Sequence, residues 1–280
     1  MLHSPPSVDG HEQSRWSLAT LRASCPWLRL SSDGSLCRLL ERLGIRRKRA
    51  RDYLHSPDPD YAAKVAYVQQ CWQQTLAEPA RLVLVYLDEF AFERQPSLAD
   101  AYEARGPACP LARLSHHRNN QCRGLGALDA SSGQVVYCQR SHITTAVLAS
   151  FYRQLAERYP QAERIYVVQD NWPVHAHPDV LAGLQAQQSP FWPHLPDNWP
   201  TEPSRRAARQ PVPIQLVFLP TYAPWLNPIE KLWRWLRQQV LHLHRLSDDW
   251  EGLKQRVLAF MAQFAQGSQA LLHYVGLLPD

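Results

Sequence analysis

The chain has 280 residues, 45% of them hydrophobic, and carries 30 Lys and Arg against 25 Asp and Glu, for a formal charge of +5. No apolar run reaches the roughly 18 residues of a membrane span and the first residues lack the apolar block of a secretory signal, so a cytoplasmic protein without membrane attachment is expected. The six cysteines contain no C-x-x-C pair and are read as reduced core thiols, with a zinc set of Cys109, His116, His117 and Cys122 as the alternative.

Residues 1–13 are polar and proline-containing and read as an arm. The first periodic segment, SLATLRASCPWL, spaces Leu18, Leu21, Ala23 and Leu28 for one helical face. A second helix, SLCRLLERLG, opens after Ser32-Asp33-Gly34 and stops at Gly44, with cap and terminator residues where helix ends need them. Arg38, Arg42, Arg46, Arg47, Lys48, Arg49 and Arg51 follow one another against a single acid, Glu41. Two short helices with such a basic run suggest a helix-turn-helix-like DNA-binding module over 1–60, its cations gripping phosphates. HSPDPD at 55–60 is a proline break and the expected boundary, and 61–80 reads as a connecting helix.

From Arg81 the pattern becomes mixed α/β. RLVLVYLDEF is a nearly continuous apolar run, the mark of a strand buried on both faces. QCRGLGALDASSGQVVYCQR reads as a hairpin turning at Ser-Ser-Gly. A helix over 143–160, a strand RIYVVQD at 164–170, a helix over about 177–187, a strand IQLVFLP at 214–220 and a helix over 227–240 complete the domain. That order fits a ribonuclease H-like mixed sheet flanked by helices over 81–280. The segment at about 188–213, rich in Pro and Trp and carrying Arg205, Arg206 and Arg209, reads as an inserted loop.

Asp88 and Asp170 each end a strand, and open α/β sheets gather reactive groups beyond the carboxyl ends of their strands. Glu89 follows Asp88, but alternation sends neighbours to opposite faces, so Asp88 alone of the pair is expected in the site. In LNPIEKLW, Asn227 suits a helix N-cap, Pro228 the first helical position and Glu230 the third. Glu230 is therefore either a site acid or the reciprocal partner of a capping box. The last helix offers Ile229, Trp233, Leu236 and Val240 as one apolar side and Lys231, Arg234 and Arg237 as a cationic row. Trp192, Trp199 and Trp225 are the tryptophans read as candidates for base stacking.

LDEF at 87–90, QDNWPVHAH at 169–177 and LPTYAPWLNPIEKLW at 219–233, in that order, resemble the DDE transposases of the mariner-related superfamily, in its bacterial insertion-sequence branch. By that resemblance Asp88, Asp170 and Glu230 are the catalytic, metal-holding acids, and Asn171, His175 and Asn227 support the site. The resemblance further implies Mg²⁺, replaceable by Mn²⁺, double-stranded DNA as substrate and target, a homodimer handling two transposon ends, and a bacterial protein acting at the nucleoid. The chemistry it implies is in-line attack on phosphorus by water and then by a DNA 3′-hydroxyl, with two metal ions about 4 Å apart.

Overall fold

The computed structural model describes residues 6–13, 15–30, 32–47, 55–207 and 210–278. The chain forms two compact units, residues 1–53 and residues 54–280.

In the first unit a 3-10 turn, Pro6–Asp9, precedes helix α1 (Leu18–Ser24) and helix α2 (Asp33–Arg42). Ser17 and Ser32 cap the two helices by accepting backbone N–H groups of the first turn, and Ser17 with Thr20 closes a reciprocal capping box. Arg22 reaches Asp33 at 2.9 Å across the pair. Leu21 and Leu36 are buried between these short helices, while Arg38, Arg42, Arg46 and Arg47 are exposed. Lys48, Arg49 and Arg51 lie outside the described residues.

The second unit opens with helix α3 (Tyr61–Ala77), read from sequence as a connector. It is built into this unit, with Cys71 buried in the core and Gln74 accepting a hydrogen bond from the Tyr166 hydroxyl at 2.7 Å. Five strands follow: β1 (Leu82–Glu93), β2 (Gln121–Asp129), β3 (Val135–Arg140), β4 (Arg164–Gln169) and β5 (Ile214–Phe218). They make one sheet in the order β3-β2-β1-β4-β5, with β1, β4 and β5 parallel and β2 antiparallel to both β1 and β3. This is the ribonuclease H-like arrangement. The β2–β3 turn falls at Ser131-Ser132-Gly133, where Gly133 adopts φ +68° and a Cβ would lie 2.3 Å from the Ser268 carbonyl.

Helix α4 (Thr145–Arg158) covers one face of the sheet, burying Leu148, Phe151, Tyr152 and Leu155 against Val85, Leu87, Ile165 and Val167. On the other face lie α6 (Ile229–Leu236), which continues through a π turn at Arg237–Leu241, then α7 (Trp250–Ala262) and α8 (Gln269–Val275). Ile229, Trp233, Leu236 and Val240 are buried, as the apolar row predicts. The helix expected over about 177–187 is shorter: after a 3-10 turn at Pro173–Ala176, α5 spans only Pro178–Leu181. Its would-be second half runs instead beside the edge strand. Gln187 Nε2 donates to Ile214 O at 2.9 Å, Leu216 N–H donates to Gln187 Oε1 at 2.8 Å, and Gln188 N–H donates to Gln215 Oε1 at 3.0 Å. An exposed edge with unpaired backbone groups is thereby covered. The Pro-rich stretch beyond it forms no helix or strand among the described residues, and is pinned where Ser204 Oγ donates to Asp179 Oδ2 at 3.0 Å. Arg205 and Arg206 are exposed there, and Arg209 lies outside the described residues. Among the described residues no helix is long and apolar enough to cross a membrane.

Candidate active site

The site arises where neighbouring strands stop at different heights. β1 pairs with β4 only as far as Tyr86 and Val168, and β4 ends at Gln169, whereas β1 continues to Glu93 paired with β2 alone. Beyond Tyr86 the β4 side of β1 is open, and Asp88, Glu89 and Asp170 occupy that opening. The flanking segments are tied to it by hydrogen bonds. Leu219 N–H donates to Gln169 O at 2.8 Å, Asn171 Nδ2 donates to Leu219 O at 2.6 Å, and Asn227 Nδ2 donates to Leu87 O at 3.1 Å. The last of these brings the start of α6, and Glu230 with it, to the end of β1. Asp88, Glu89, Asp170 and Glu230 line one cavity of about 930 Å³.

Trp233 Nε1 donates to Asp88 Oδ2 at 2.8 Å, and the indole is itself fixed, fully buried and stacked on Phe90 at 4.4 Å. Room for it comes from Gly126, where a Cβ would lie 2.5 Å from the Trp233 ring. Burial first, then the charges of Glu230, Glu89 and Asp170, push the Asp88 carboxyl up to about 8 against the opposing Trp233 hydrogen bond. The Glu230 carboxyl is raised by burial and by Asp170, against the pull of Arg237 and Arg234. Asp170 behaves oppositely. Partial desolvation at the cavity mouth raises its carboxyl, but His175 and the Trp172 N–H, which donates to Oδ1 at 2.9 Å, outweigh that and hold it below its ordinary value.

Glu89 corrects the expectation that only one of the two consecutive acids enters the site. Alternation does send them to opposite faces, Asp88 toward Trp233 on α6 and Glu89 toward Tyr152 on α4. Both still line the cavity, because with β4 ended there is no neighbouring strand to cover either side. His175, fully buried, places Nε2 3.4 Å from Asp170 Oδ1 and 3.5 Å from Glu89 Oε1. Glu89 Oε1 and His175 Nε2 are buried without a hydrogen-bond partner among the described residues. On its other side, His175 Nδ1 lies 3.4 Å from the Tyr152 hydroxyl, which donates to Gln169 Oε1 at 2.8 Å.

Asn227 also differs from its expected role. Pro228 is the N-cap of α6, and the Asn227 side chain reaches across to β1 instead of capping. The capping-box alternative for Glu230 fails, since the N–H it would have to accept, that of Asn227, is donated to Pro224 O at 3.0 Å. The structure adds Glu89, Tyr152 and Trp233 to the site, and also Arg123 and His142, exposed side chains that line the cavity from the β2 and β3 side. Their only sequence signal is placement across the sheet, which the register supplies.

Among the described residues Glu89, Asp170 and His175 form the one cluster of three metal-ligand side chains with donor atoms within 4.8 Å of one another. The alternative zinc set does not assemble: Cys122 is buried with Sγ 3.4 Å from Arg140 O, while Cys109 is exposed. Of the three tryptophans, Trp192 packs on Phe218 at 5.6 Å, Trp199 meets His177 at 5.5 Å, and Trp225 Nε1 donates to Tyr61 Oη at 3.1 Å.

A curated relative, described as the uncharacterized 39 kDa protein of insertion element IS630 from Shigella sonnei, is 26% identical over 255 residues, 90% of this chain and 66% of the relative. The chain thus spans just under two thirds of that protein's length. Among solved structures, the Mos1 mariner paired-end complex with Mn aligns over 98% of this chain and 74% of its own at TM-score 0.61 and 17% identity. The Mos1 strand transfer complex aligns over 95% and 76% at TM-score 0.53 and 17% identity, so the likeness to both is one of fold. The family model described as DDE superfamily endonuclease matches residues 83–254, which takes in both strand-end acids and the start of α6. Strand order, the open edge with its acids and this match agree, and the chain belongs to the DDE endonuclease superfamily.

Proposed function

We propose that the chain is a DNA transposase that cuts DNA at transposon ends and joins the freed 3′-hydroxyl to target DNA. The observation that carries this reading is the convergence of Asp88, Asp170 and Glu230, from three distant segments, on one open cavity at the carboxyl edge of the sheet. Two relatives support it: one belongs to an insertion element, and the other's structures are paired-end and strand transfer complexes.

The residues suit divalent cations. Carboxylate oxygens are the preferred ligands of Mg²⁺ and Mn²⁺, and the mutual repulsion of the four acids, with the unpartnered Glu89 Oε1, is what a bound cation relieves. Asp88, Asp170 and Glu230 would hold Mg²⁺, or Mn²⁺ in its place. Cations bound there would lower the pKa of an attacking water and stabilise charge on the leaving oxygen. The chain's own groups orient these acids: the Trp233 N–H sets Asp88, the Trp172 N–H and His175 set Asp170, and Asn227 sets the helix that carries Glu230. In the first step water attacks phosphorus and the bond to the 3′ oxygen breaks, leaving a 3′-hydroxyl. In the second that hydroxyl loses its proton, attacks a target phosphodiester and expels the target's own 3′ oxygen.

In this reading the first unit is the end-recognition module. Arg38, Arg42, Arg46 and Arg47, continued by Lys48, Arg49 and Arg51, contact phosphates, and residues 54–280 are the catalytic domain. Two copies act together as a homodimer on two ends, on nucleoid DNA in a bacterial cytoplasm.

The test uses duplexes copied from the DNA on either side of the coding sequence. The wild-type chain is expected to cut them in Mg²⁺ or Mn²⁺, to join a pre-cleaved end to plasmid, and to do neither in EDTA. Asp88→Asn, Asp170→Asn and Glu230→Gln are each expected to lose both reactions while shifting the duplex in a gel as the wild type does. Normal cutting by any of the three overturns that residue's role, and cutting without joining makes the chain a nuclease.

A further inference from the structure

The cavity has two unlike flanks, and the sheet order assigns them. Arg123 lies on β2 and His142 just after β3, on one side of the strand-end acids. On the other side the loop after β5 contributes Pro220, Thr221 and Tyr222. Tyr222 is 68% exposed, and among the described residues no hydrogen bond reaches its hydroxyl. Its backbone has φ +54°, a left-handed conformation that a bulky side chain adopts only when its surroundings impose it.

Those surroundings are identifiable. Thr221 N–H donates to Asp58 Oδ2 at 2.8 Å and Thr221 O accepts from Ser56 Oγ at 2.6 Å. Asp58 is fixed in turn by a buried ion pair with Lys64 at 2.7 Å, the two side chains only 3% and 8% exposed. Pro220 and Ala223 are both buried. A segment 163 to 165 residues away in the chain thus clamps the loop around a residue that is strained, aromatic and turned outward. Trp225, three residues on, is half exposed but held by Tyr61, and it does not line the cavity.

Resting on the transposase reading, we propose that Tyr222 is a stacking platform for the nucleobase next to the phosphate held at the acids, with the strand's backbone on the Arg123 and His142 side. A phosphodiester on the acids leaves its flanking base to meet one of the two flanks. An exposed aromatic face binds any base without reading its edge, while the Arg123 guanidinium suits the charged backbone. Stacking needs the ring and not the hydroxyl, so Tyr222→Phe is the conservative variant.

The probe is a duplex carrying 2-aminopurine at the nucleotide beside the cleaved phosphate, mixed with protein in Ca²⁺ and read by fluorescence, with single-turnover cutting measured separately in Mg²⁺. The wild type and Tyr222→Phe are expected to quench the probe. Tyr222→Ala is expected to lose the quench and to cut on the order of 10- to 100-fold more slowly. Tyr222→Gly is expected to lose cutting equally while melting no lower than the wild type, since glycine accepts the backbone that tyrosine strains; a residue serving the fold alone would lower the melting temperature. Full cutting or undiminished quenching by Tyr222→Ala, with a wild type that cuts, overturns the stacking role alone. A wild type that quenches through Tyr222 but never cuts overturns the transposase reading and leaves the platform standing. One that does neither overturns both.

Discussion

β1 and β4 lie side by side, run in the same direction and present an acid at the same edge of the sheet, yet the two acids are held by different means. The end of β1 is built by packing. Asp88 touches an indole that fills the space left by Gly126, and the start of α6 is drawn in by Asn227. The end of β4 is built by a polar network, in which Asp170 meets His175, and beyond it Tyr152 and Gln169, with the Trp172 N–H on the near side. Packing against apolar rings withdraws water and raises a carboxyl; donors aimed at a carboxylate lower it. The same strand-end position therefore yields one acid pushed up to about 8 and one held below its ordinary value. A symmetric pair of acids in the sequence is an asymmetric pair in the fold.

The sharpest way to expose this asymmetry is pH, because Asp88 and Asp170 are displaced in opposite directions. A carboxyl whose folded value is raised contributes stability that is fully present below its unfolded value, near 3.8, and is lost as pH rises through about 8. In EDTA the urea midpoint of the wild type is therefore expected to fall between pH 5 and pH 9. Asp88→Asn should flatten most of that slope, and saturating Mg²⁺ should restore the midpoint at the alkaline end. Asp170 has the opposite sign: its lowered carboxyl contributes stability above 3.8 that is lost as pH falls. Asp170→Asn should leave the slope between pH 5 and pH 9 in place, and an equal flattening by both variants would erase the distinction.

Next in size are substitutions behind Asp88. A methyl group at residue 126 must displace a fully buried ring, and overpacking of that kind costs about 1–3 kcal/mol. Gly126→Ala is expected to lower the melting temperature by about 2–4 °C for each kcal/mol lost. Trp233→Phe keeps most of the packing but removes the donor to Asp88, so it should slow cutting by about 10- to 100-fold. Because that bond opposes the upward shift, its loss should also move the Asp88 titration higher, visible by carbon NMR of the metal-free protein. An unmoved titration would mean that the indole serves packing alone.

What could be read from the sequence follows the range of the forces involved. β1, β4 and β5 announce themselves as continuous apolar runs because both faces of each are covered, and the β2–β3 hairpin shows in its Ser-Ser-Gly turn. Local chemistry favours Asn227 as a cap; its actual partner, the Leu87 carbonyl, lies 140 residues away. Periodicity carries the helix after His177 too far, because the pull of the β5 edge on Gln187 and Gln188 has no local signature. Alternation separated Asp88 and Glu89 correctly by face, but whether each face is open depends on where β4 stops. Tyr222 lies inside LPTYAPWLNPIEKLW without a local signal, since a left-handed φ imposed by Asp58 and Ser56 is not written in the residues around it.

The smallest effect is expected at Glu89, and it tests the β4 end. Glu89 and Asp170 share His175, at 3.5 Å on one side and 3.4 Å on the other, and their own oxygens lie within 4.8 Å of each other. Glu89→Gln keeps the shape and removes the charge, freeing His175 to shift relative to Asp170. Partners of that kind tune a ligand rather than create it, so Mn²⁺ affinity is expected to weaken by about 10-fold, at the lower end of the range for outer groups. The loss should be recovered at high Mn²⁺, with the cutting rate at saturation near that of the wild type. It should not add to the loss in His175→Ala, because two residues acting through one contact are not additive. Titration of metal affinity in the single and double variants decides the matter: independent losses would mean that Glu89 reaches the cation directly, and that the open edge beyond Tyr86 admits four acids to the metal instead of three.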